Sequence, residues 1–126
     1  MTVKIYTDAS VTKEVQSYAY LIVFNNSVVK HSDILHGNQG TFIAESKAIY
    51  LALKEMTQHP EIVDQDIKVI CDNAGVINAI NYKRNIKYIY EIYAYTNFYD
   101  IEFIWQKRNT DVYQLIVDRM CKEARK

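Results

Sequence analysis

The sequence predicts a single α/β domain in which helices cover a mixed sheet. Its 126 residues are a usual length for one domain, and hydrophobic residues make up 49% of them, which is enough for a packed core. Strand-like and helical segments follow in the order β-β-β-α-β-α-α-β-α. Three consecutive strands followed by alternating helices and strands are typical of a mixed sheet with helices packed on it.

The first three segments predict an antiparallel meander. Val3 to Tyr6 is a short apolar strand, and Ser17 to Asn25 is rich in the aromatic and β-branched residues that strands favour. Asn25 and Asn26 begin a turn, after which Ser27 to Leu35 can pair back as a third strand. Because the connections between these segments are short, the strands are expected to be antiparallel neighbours.

The middle of the chain predicts a helix and then a buried strand. Apolar residues recur at helical spacing from Phe42 to Gln58, and Pro60 ends that helix. Ile67 to Cys71 is a continuous apolar run, which is expected for a strand that is buried on both faces.

The rest of the chain predicts three more helices and a fifth strand. Ala74 to Asn81 is a short helix that Asn73 or Asp72 caps, and Ile86 to Asn97 follows as another helix. Ile101 to Trp105 is the fifth strand. Thr110 is expected to cap the last helix, whose apolar side carries five residues: Val112, Leu115, Ile116, Met120 and Cys121.

Charge and composition narrow the classes of function. Fifteen acidic and fifteen basic residues give a net charge of zero, whereas nucleic-acid binders are more often basic, so any such binding must rely on local charge. No apolar run approaches the roughly 20 residues of a membrane span, and the amino-terminal segment does not resemble a leader. We expect a cytoplasmic protein that does not bind membranes, with Cys71 and Cys121 as buried, reduced thiols.

Two carboxylates follow strongly apolar strands. Asp8 comes directly after the first predicted strand and Asp72 after the fourth. If these strands are parallel neighbours, both acids lie at one edge of the sheet, where ligand clefts form in α/β proteins. An Asp at the end of a strand is also a common turn residue or helix cap, and that alternative stays open.

Two further acids lie on predicted helices. Glu45 is expected in the first turn of its helix, where the helix dipole alone would favour it. Asp118 lies in the middle of the last helix among apolar neighbours, which is an unfavourable place for Asp. Four carboxylates meeting at one place would repel each other, and Mg²⁺ ions, which prefer oxygen ligands, would hold them together.

The segments that carry these acids resemble type 1 ribonuclease H. The similar segments are Ile5 to Ser10, Ala44 to Ala48, Val69 to Asn73 and Gln114 to Met120. They span nearly the whole chain in the family's order. The resemblance implies a ribonuclease H-like fold, a five-stranded mixed sheet in the order 3-2-1-4-5 with only the second strand antiparallel to the rest.

The resemblance also implies an activity. It implies an endonuclease that hydrolyses the RNA strand of RNA–DNA hybrids with Mg²⁺ or Mn²⁺, two ions per site. The sequence does not fix the oligomeric state, and a monomer is expected. Its metal ligands and catalytic residues would be Asp8, Glu45, Asp72 and Asp118. The residues expected to contact the substrate are Ser10, Asn73, Lys107, Arg108 and Asn109.

Several features depart from the family's pattern. Ala9 replaces a usual glycine, and Val11 to Gln16 replaces a glycine-rich connection that contacts the hybrid. The loop before the last helix has no histidine, so slow turnover is expected. Only Lys83, Arg84 and Lys87 remain of a basic protrusion, so low affinity is expected.

Two other classes of function remain open. The first is a structure-specific nuclease of the same fold, such as a junction resolvase, in which Asp111 would join Asp118 on the last helix. The second is a binding module without strong catalysis, which would use the tyrosine-rich segment from Tyr82 to Tyr99 as its partner surface.

Overall fold

The protein is described by a computed structural model over residues 2–37, 40–62, 65–84, 87–108 and 110–126. The segments follow in the predicted order, with a short 3₁₀ turn before the fourth strand. The strands are β1 (Thr2–Val11), β2 (Gln16–Phe24), β3 (Ser27–Leu35), β4 (Asp66–Cys71) and β5 (Asp100–Trp105), and the helices are α1 (Thr41–Met56), α2 (Ala74–Asn81), α3 (Ile89–Tyr95) and α4 (Val112–Ala124).

The five strands form one mixed sheet in the order β3-β2-β1-β4-β5. β2 is antiparallel to both β1 and β3, whereas β4 is parallel to β1 and to β5. This confirms the strand order and the single antiparallel direction that the resemblance implied. The parallel β1–β4 pair places the carboxyl ends of both strands at the same edge of the sheet.

Helices bury both faces of the sheet. Alternate residues of a strand point to opposite faces, so Val3 and Ile5 pack in the core beneath α1, whereas Tyr6 packs beneath α4. The residues on the α4 side form a smaller cluster with Val117 and Cys121. Both cysteines are buried and free, as predicted.

Three local predictions about the acids are corrected by the structure. β1 continues through Val11, so Asp8 lies inside the strand; β1 still pairs with β2 there, although its pairing with β4 stops at Thr7. Because α1 begins at Thr41, Glu45 lies in its second turn rather than its first. Asp111, not Thr110, caps α4: its Oδ1 accepts hydrogen bonds from the backbone N–H groups of Tyr113 and Gln114.

The third helix is shorter than predicted. It runs from Ile89 to Tyr95, and Tyr88 before it has a left-handed backbone with a φ of 72°, which cannot continue a helix toward the amino terminus. The predicted start at Ile86 lies outside the described residues. Among the described residues, no helix combines the length and the apolar character that crossing a membrane requires.

Candidate functional site

Two of the four predicted acids reach the site because of strand geometry. The parallel ladder between β1 and β4 ends with Thr7 opposite Cys71, so Asp8 and Asp72 each come one residue later on neighbouring strands. Tyr6 and Ile70, two residues earlier, both face α4. The two-residue period of a strand therefore directs Asp8 toward the same side. Asp8 is only 3% exposed, and its Oδ1 accepts a hydrogen bond from the N–H of Ala9 at 2.9 Å.

Glu45 approaches from the opposite side of the sheet. The core cluster beneath α1 contains Ala44 and Ala48 on either side of it, and these small residues bring the helix close to the strands. Glu45 is 3% exposed, and its Oε2 accepts a weak hydrogen bond from the thiol of Cys71 at 3.8 Å. One ligand atom each from Glu45, Cys71 and Asp72 lies within 4.8 Å of the others.

Asp118 completes the group from α4. Its carboxyl group lies close enough to Asp8 to accept a hydrogen bond when Asp8 is protonated, and its Oδ2 also lies 3.0 Å from Nζ of Lys122, one turn further along the helix. Its position in the middle of the helix is therefore explained by two partners, an acid on β1 and a cation on its own helix. The structure brings all four predicted acids close together, at the point where the pairing of β1 with β4 ends.

The two most buried acids hold protons tightly. Burial raises the pKa of Asp8 to about 7, with smaller contributions from the charge of Asp72 and the hydrogen bond to Asp118. Burial, followed by the charges of Asp8 and Asp72, raises the pKa of Glu45 well above its usual range. Without a cation nearby, the interior acids therefore stay partly protonated near neutral pH.

The two outer acids each have a basic partner. Arg108 donates from Nε to Oδ2 of Asp72 at 3.0 Å, and the arginine side chain remains 60% exposed. Burial alone would raise the pKa of Asp118, but the hydrogen bonds from Lys122 and Asp8 outweigh it and leave the pKa below its usual value. A proton shared between Asp8 and Asp118 therefore lies on Asp8.

These residues fit a site for divalent cations. Asp8 and Glu45 are buried carboxylates with raised pKa values, which indicates a shortage of positive charge. Beside them opens a cleft of about 490 Å³ whose lining includes Glu45, Asp72, Arg108 and Asp118. An all-carboxylate oxygen set suits a hard cation such as Mg²⁺ or Mn²⁺. Cys71 is a softer ligand, and because burial raises its pKa well above the usual range, it is better suited to support Glu45 as a neutral thiol.

Three of the five residues predicted to contact the substrate lie at the cleft. Ser10, Asn73 and Arg108 line the cleft. Asn73 also caps α2, because its Oδ1 accepts from the N–H of Val76 at 3.0 Å. Lys107 is exposed on the loop that follows β5, and Asn109 lies outside the described residues.

A partly buried hydrogen-bond network anchors the loop that carries Arg108. Oδ2 of Asp111 accepts from the hydroxyl of Tyr6 at 2.9 Å and from Nε2 of Gln106 at 3.2 Å. The side chain of Gln114 accepts from the N–H of Thr110 and donates to the carbonyl of Gln106. This network joins β1, the loop and the first turn of α4, so the loop is held beside the acids.

Sequence reasoning missed Lys122 and Cys71 as neighbours of the acids. Lys122 lines the cleft and pairs with Asp118, and the spacing of four residues on a helix was a usable signal for that pair. Cys71 had no comparable signal, because its contact with Glu45 joins a strand to a helix 26 positions away.

Comparison with solved structures finds closely similar folds. A ribonuclease H1 from the halophilic archaeon Halobacterium salinarum has a TM-score of 0.81 and 16% identity, covering 98% of this chain and 97% of its own. The N-terminal ribonuclease H domain of Rv2228c from Mycobacterium tuberculosis, solved as a fusion with maltose-binding protein, has a TM-score of 0.82 and 15% identity, covering 100% of both chains. LC11-RNase H1, isolated from compost and solved in complex with an RNA/DNA hybrid, has a TM-score of 0.77 and 18% identity, covering 98% of this chain and 96% of its own.

Comparisons by sequence add nothing to this likeness: no protein-family model matches the chain, and no curated protein matches it significantly. The similarity therefore lies in the backbone, over nearly the full length of both chains, with the strand order 3-2-1-4-5 that the sequence resemblance implied. The chain has the ribonuclease H-like fold.

Proposed function

We propose that this protein is a metal-dependent endonuclease that hydrolyses the RNA strand of RNA–DNA hybrids by a two-metal-ion mechanism. The observation that supports this most strongly is that Glu45, Asp72 and Asp118 line one cleft, with Asp8 buried beside them. Folding brings these acids together from two strands and two helices, although burying them raises the pKa values of two. A purely structural role would not require four carboxylates there. A solved structure with the same fold contains an RNA/DNA hybrid.

The four carboxylates would hold the metal ions. When bound, divalent ions at such a site activate a water molecule as the nucleophile and neutralise the oxygen that leaves. Asp8 is central, because it contacts Asp118 directly and faces the charge of Asp72. Its buried position fixes its carboxylate, and the N–H of Ala9 holds one oxygen in place.

Arg108 and Lys122 neutralise the outer acids when no metal is bound. Each lies 3.0 Å from a carboxylate oxygen and is more than half exposed, so each can turn away at little cost in buried contacts. A guanidinium released from Asp72 can donate two parallel hydrogen bonds to a phosphate. We assign Arg108 the role of holding the scissile strand by its phosphate, and its sequence neighbours Lys107 and Asn109 a supporting role in the same contact.

Selection for RNA would depend on Ser10 and Asn73. Both line the cleft next to the acids, and a hydroxyl and an amide can each donate to and accept from a 2′-hydroxyl. The 2′-hydroxyl is the group that distinguishes RNA from DNA. We therefore assign these two residues to the minor groove of the hybrid.

A cleavage assay tests the proposal. Wild type and Asp8→Asn are incubated with an end-labelled hybrid in Mg²⁺, in Mn²⁺ and in EDTA, with duplex DNA, duplex RNA and a four-way DNA junction as other substrates. We expect the wild type to cut only the RNA strand of the hybrid, only with metal, and Asp8→Asn to be inactive. Asp100→Asn is the matched control, because Asp100 is an exposed acid at the opposite end of the sheet. Wild-type protein that leaves the hybrid intact with both metals would refute the proposal.

The junction-resolving alternative depends on Asp111 as an additional ligand. Both carboxylate oxygens of Asp111 are already occupied, by two N–H groups of α4 and by Tyr6 and Gln106. These four hydrogen bonds account for Asp111 as a structural residue, which does not favour a role as a metal ligand. The binding-module alternative is tested by calorimetric titration with Mn²⁺, because a module without a metal site would bind none.

A further inference from the structure

A basic pocket lies on the side of α4 next to the acidic cleft. It has a volume of about 650 Å³. Four basic and two acidic residues line it, which gives a local net charge of +2 in a chain whose net charge is zero. We call its basic residues the α4 basic surface: Arg119, Lys122, Arg125 and Lys126.

Half of this positive charge is unpaired. Lys122 pairs with Asp118, and Nζ of Lys126 lies 3.2 Å from Oε1 of Glu123. Arg119 and Arg125 form no ion pair with any residue that the structure describes. The Nε of Arg125 is also buried without a hydrogen-bond partner among those residues. A buried donor without an acceptor is unfavourable, and reorienting the guanidinium of Arg125 onto an anion in the pocket would remove this cost.

The helix dipole explains only part of this charge. Basic residues in the last turn of a helix are favoured by the dipole, which accounts for Lys122. Arg119 lies in the middle of the helix, where that effect is weak, and the dipole does not explain why a donor of Arg125 is left buried and unpaired. The unpaired arginines are the features that indicate a ligand.

The pocket is continuous with the acidic cleft. Asp118 and Lys122 line both, so the α4 basic surface begins where the cleft ends. From Asp118 to Ala124, where α4 ends, the helical rise is about 9 Å, and consecutive phosphates of one strand lie roughly 3.4 Å apart along a duplex axis. The surface is therefore long enough to face about two phosphates of a strand that leaves the cleft.

We infer that the α4 basic surface binds the phosphodiester backbone of the nucleic acid next to the position that is cut. This inference rests on the proposed function only for the identity of the nucleic acid, which would be an RNA–DNA hybrid. Arg119 and Arg125 contribute most, because their guanidinium groups are unpaired and fit phosphate oxygens. The surface would supply local positive charge next to the acids in a chain whose net charge is zero.

A binding measurement with matched charge changes tests this inference. Fluorescence anisotropy follows a labelled RNA–DNA hybrid in EDTA, where metal-dependent cleavage cannot proceed, at several salt concentrations. The variants are Arg119→Gln/Arg125→Gln and Arg119→Gln/Lys126→Gln. The second pair changes only exposed residues, so it remains informative if removing Arg125 disturbs folding. Lys54→Gln is the control, because Lys54 is exposed on α1, across the sheet from α4.

We expect each double variant to bind the hybrid at least tenfold more weakly than wild type. The slope of log affinity against log salt should fall by about 0.9 for each phosphate contact that is lost, and Lys54→Gln should change neither quantity. In cleavage, KM should rise while kcat stays nearly constant. Unchanged affinity and salt dependence in a folded double variant would overturn the inference.

The outcomes also separate this inference from the proposed function. If the wild type cuts no hybrid but binds it in a way that depends on Arg119, the inferred binding surface stands and the proposed nuclease function is refuted. If the wild type cuts hybrids and both double variants have the same KM as wild type, the proposed nuclease function stands and the inferred binding surface is refuted.

Discussion

Replacing Asp8 by Asn should stabilise the metal-free protein while abolishing its activity. Asp8 is buried, and its pKa is raised from the usual 3.8 to about 7. The folded state therefore binds the proton more tightly than the unfolded state does. Stability from this group is fully present below pH 3.8 and is lost as the pH rises to about 7.

The size of the effect follows from the pKa shift. Each unit is about 1.4 kcal/mol, so ionising Asp8 costs at most about 4 kcal/mol of folding free energy. Asn carries no charge and has nearly the same shape. Its Oδ1 can still accept from the N–H of Ala9, and its amide can donate to Asp118. We expect Asp8→Asn to be about 2 to 4 kcal/mol more stable than wild type at pH 8 and nearly equal to it at pH 4.

This difference is measured by urea unfolding in EDTA at pH 4, 6 and 8, with circular dichroism as the signal. Asp100→Asn, an exposed acid at the far end of the sheet, should show no comparable gain. Adding Mg²⁺ should raise the stability of wild type, because the ion binds the folded state, and should reduce the advantage of the variant. The reasoning would be refuted if Asp8→Asn were less stable than wild type at pH 8 in EDTA.

Three further predictions follow from contacts around the site. Arg108→Ala should bind Mn²⁺ several-fold more tightly than wild type in calorimetry, because the guanidinium no longer competes for Asp72; weaker binding would contradict that role. Gln114→Leu should lower the free energy of unfolding by about 1 to 3 kcal/mol in urea, because two polar groups of the loop lose their partner. Ser10→Ala should reduce hybrid cleavage while leaving Mn²⁺ affinity unchanged, and an equal loss of both would indicate a structural role instead.

Much of the fold could be predicted because apolar residues and turn residues recur at the spacings that strands and helices require. β3 and α2 have the predicted bounds, which followed from the turn at Asn25 and Asn26 and from the capping residues before Ala74. The extra length of β1 could not be predicted, because the residues from Asp8 to Val11 extend the strand only through their pairing with β2. The prediction of Thr110 as the cap of α4 was wrong. Both residue types are good caps, and the contacts of Tyr6 and Gln106, which the sequence does not reveal, favour Asp111.

The acidic residues of the candidate site could be predicted from the sequence, but the basic residues that pair with them could not. Asp8 and Asp72 follow apolar strands, and Asp118 is an unusual residue inside a helix, so each left a local signal in the sequence. The pairing of Arg108 with Asp72 joins positions 36 residues apart, and it depends on the loop network around Gln106. Such contacts depend on tertiary structure, and no short pattern in the chain encodes them.

The central claim is that four carboxylates form one divalent-metal site, and anomalous diffraction from crystals soaked in Mn²⁺ tests it most directly. We predict anomalous density among Asp8, Glu45, Asp72 and Asp118, with Arg108 turned away from Asp72, and no such density in Asp8→Asn crystals soaked in the same way. Fully soaked wild-type crystals without manganese at these four acids, or with manganese only elsewhere, would contradict the account.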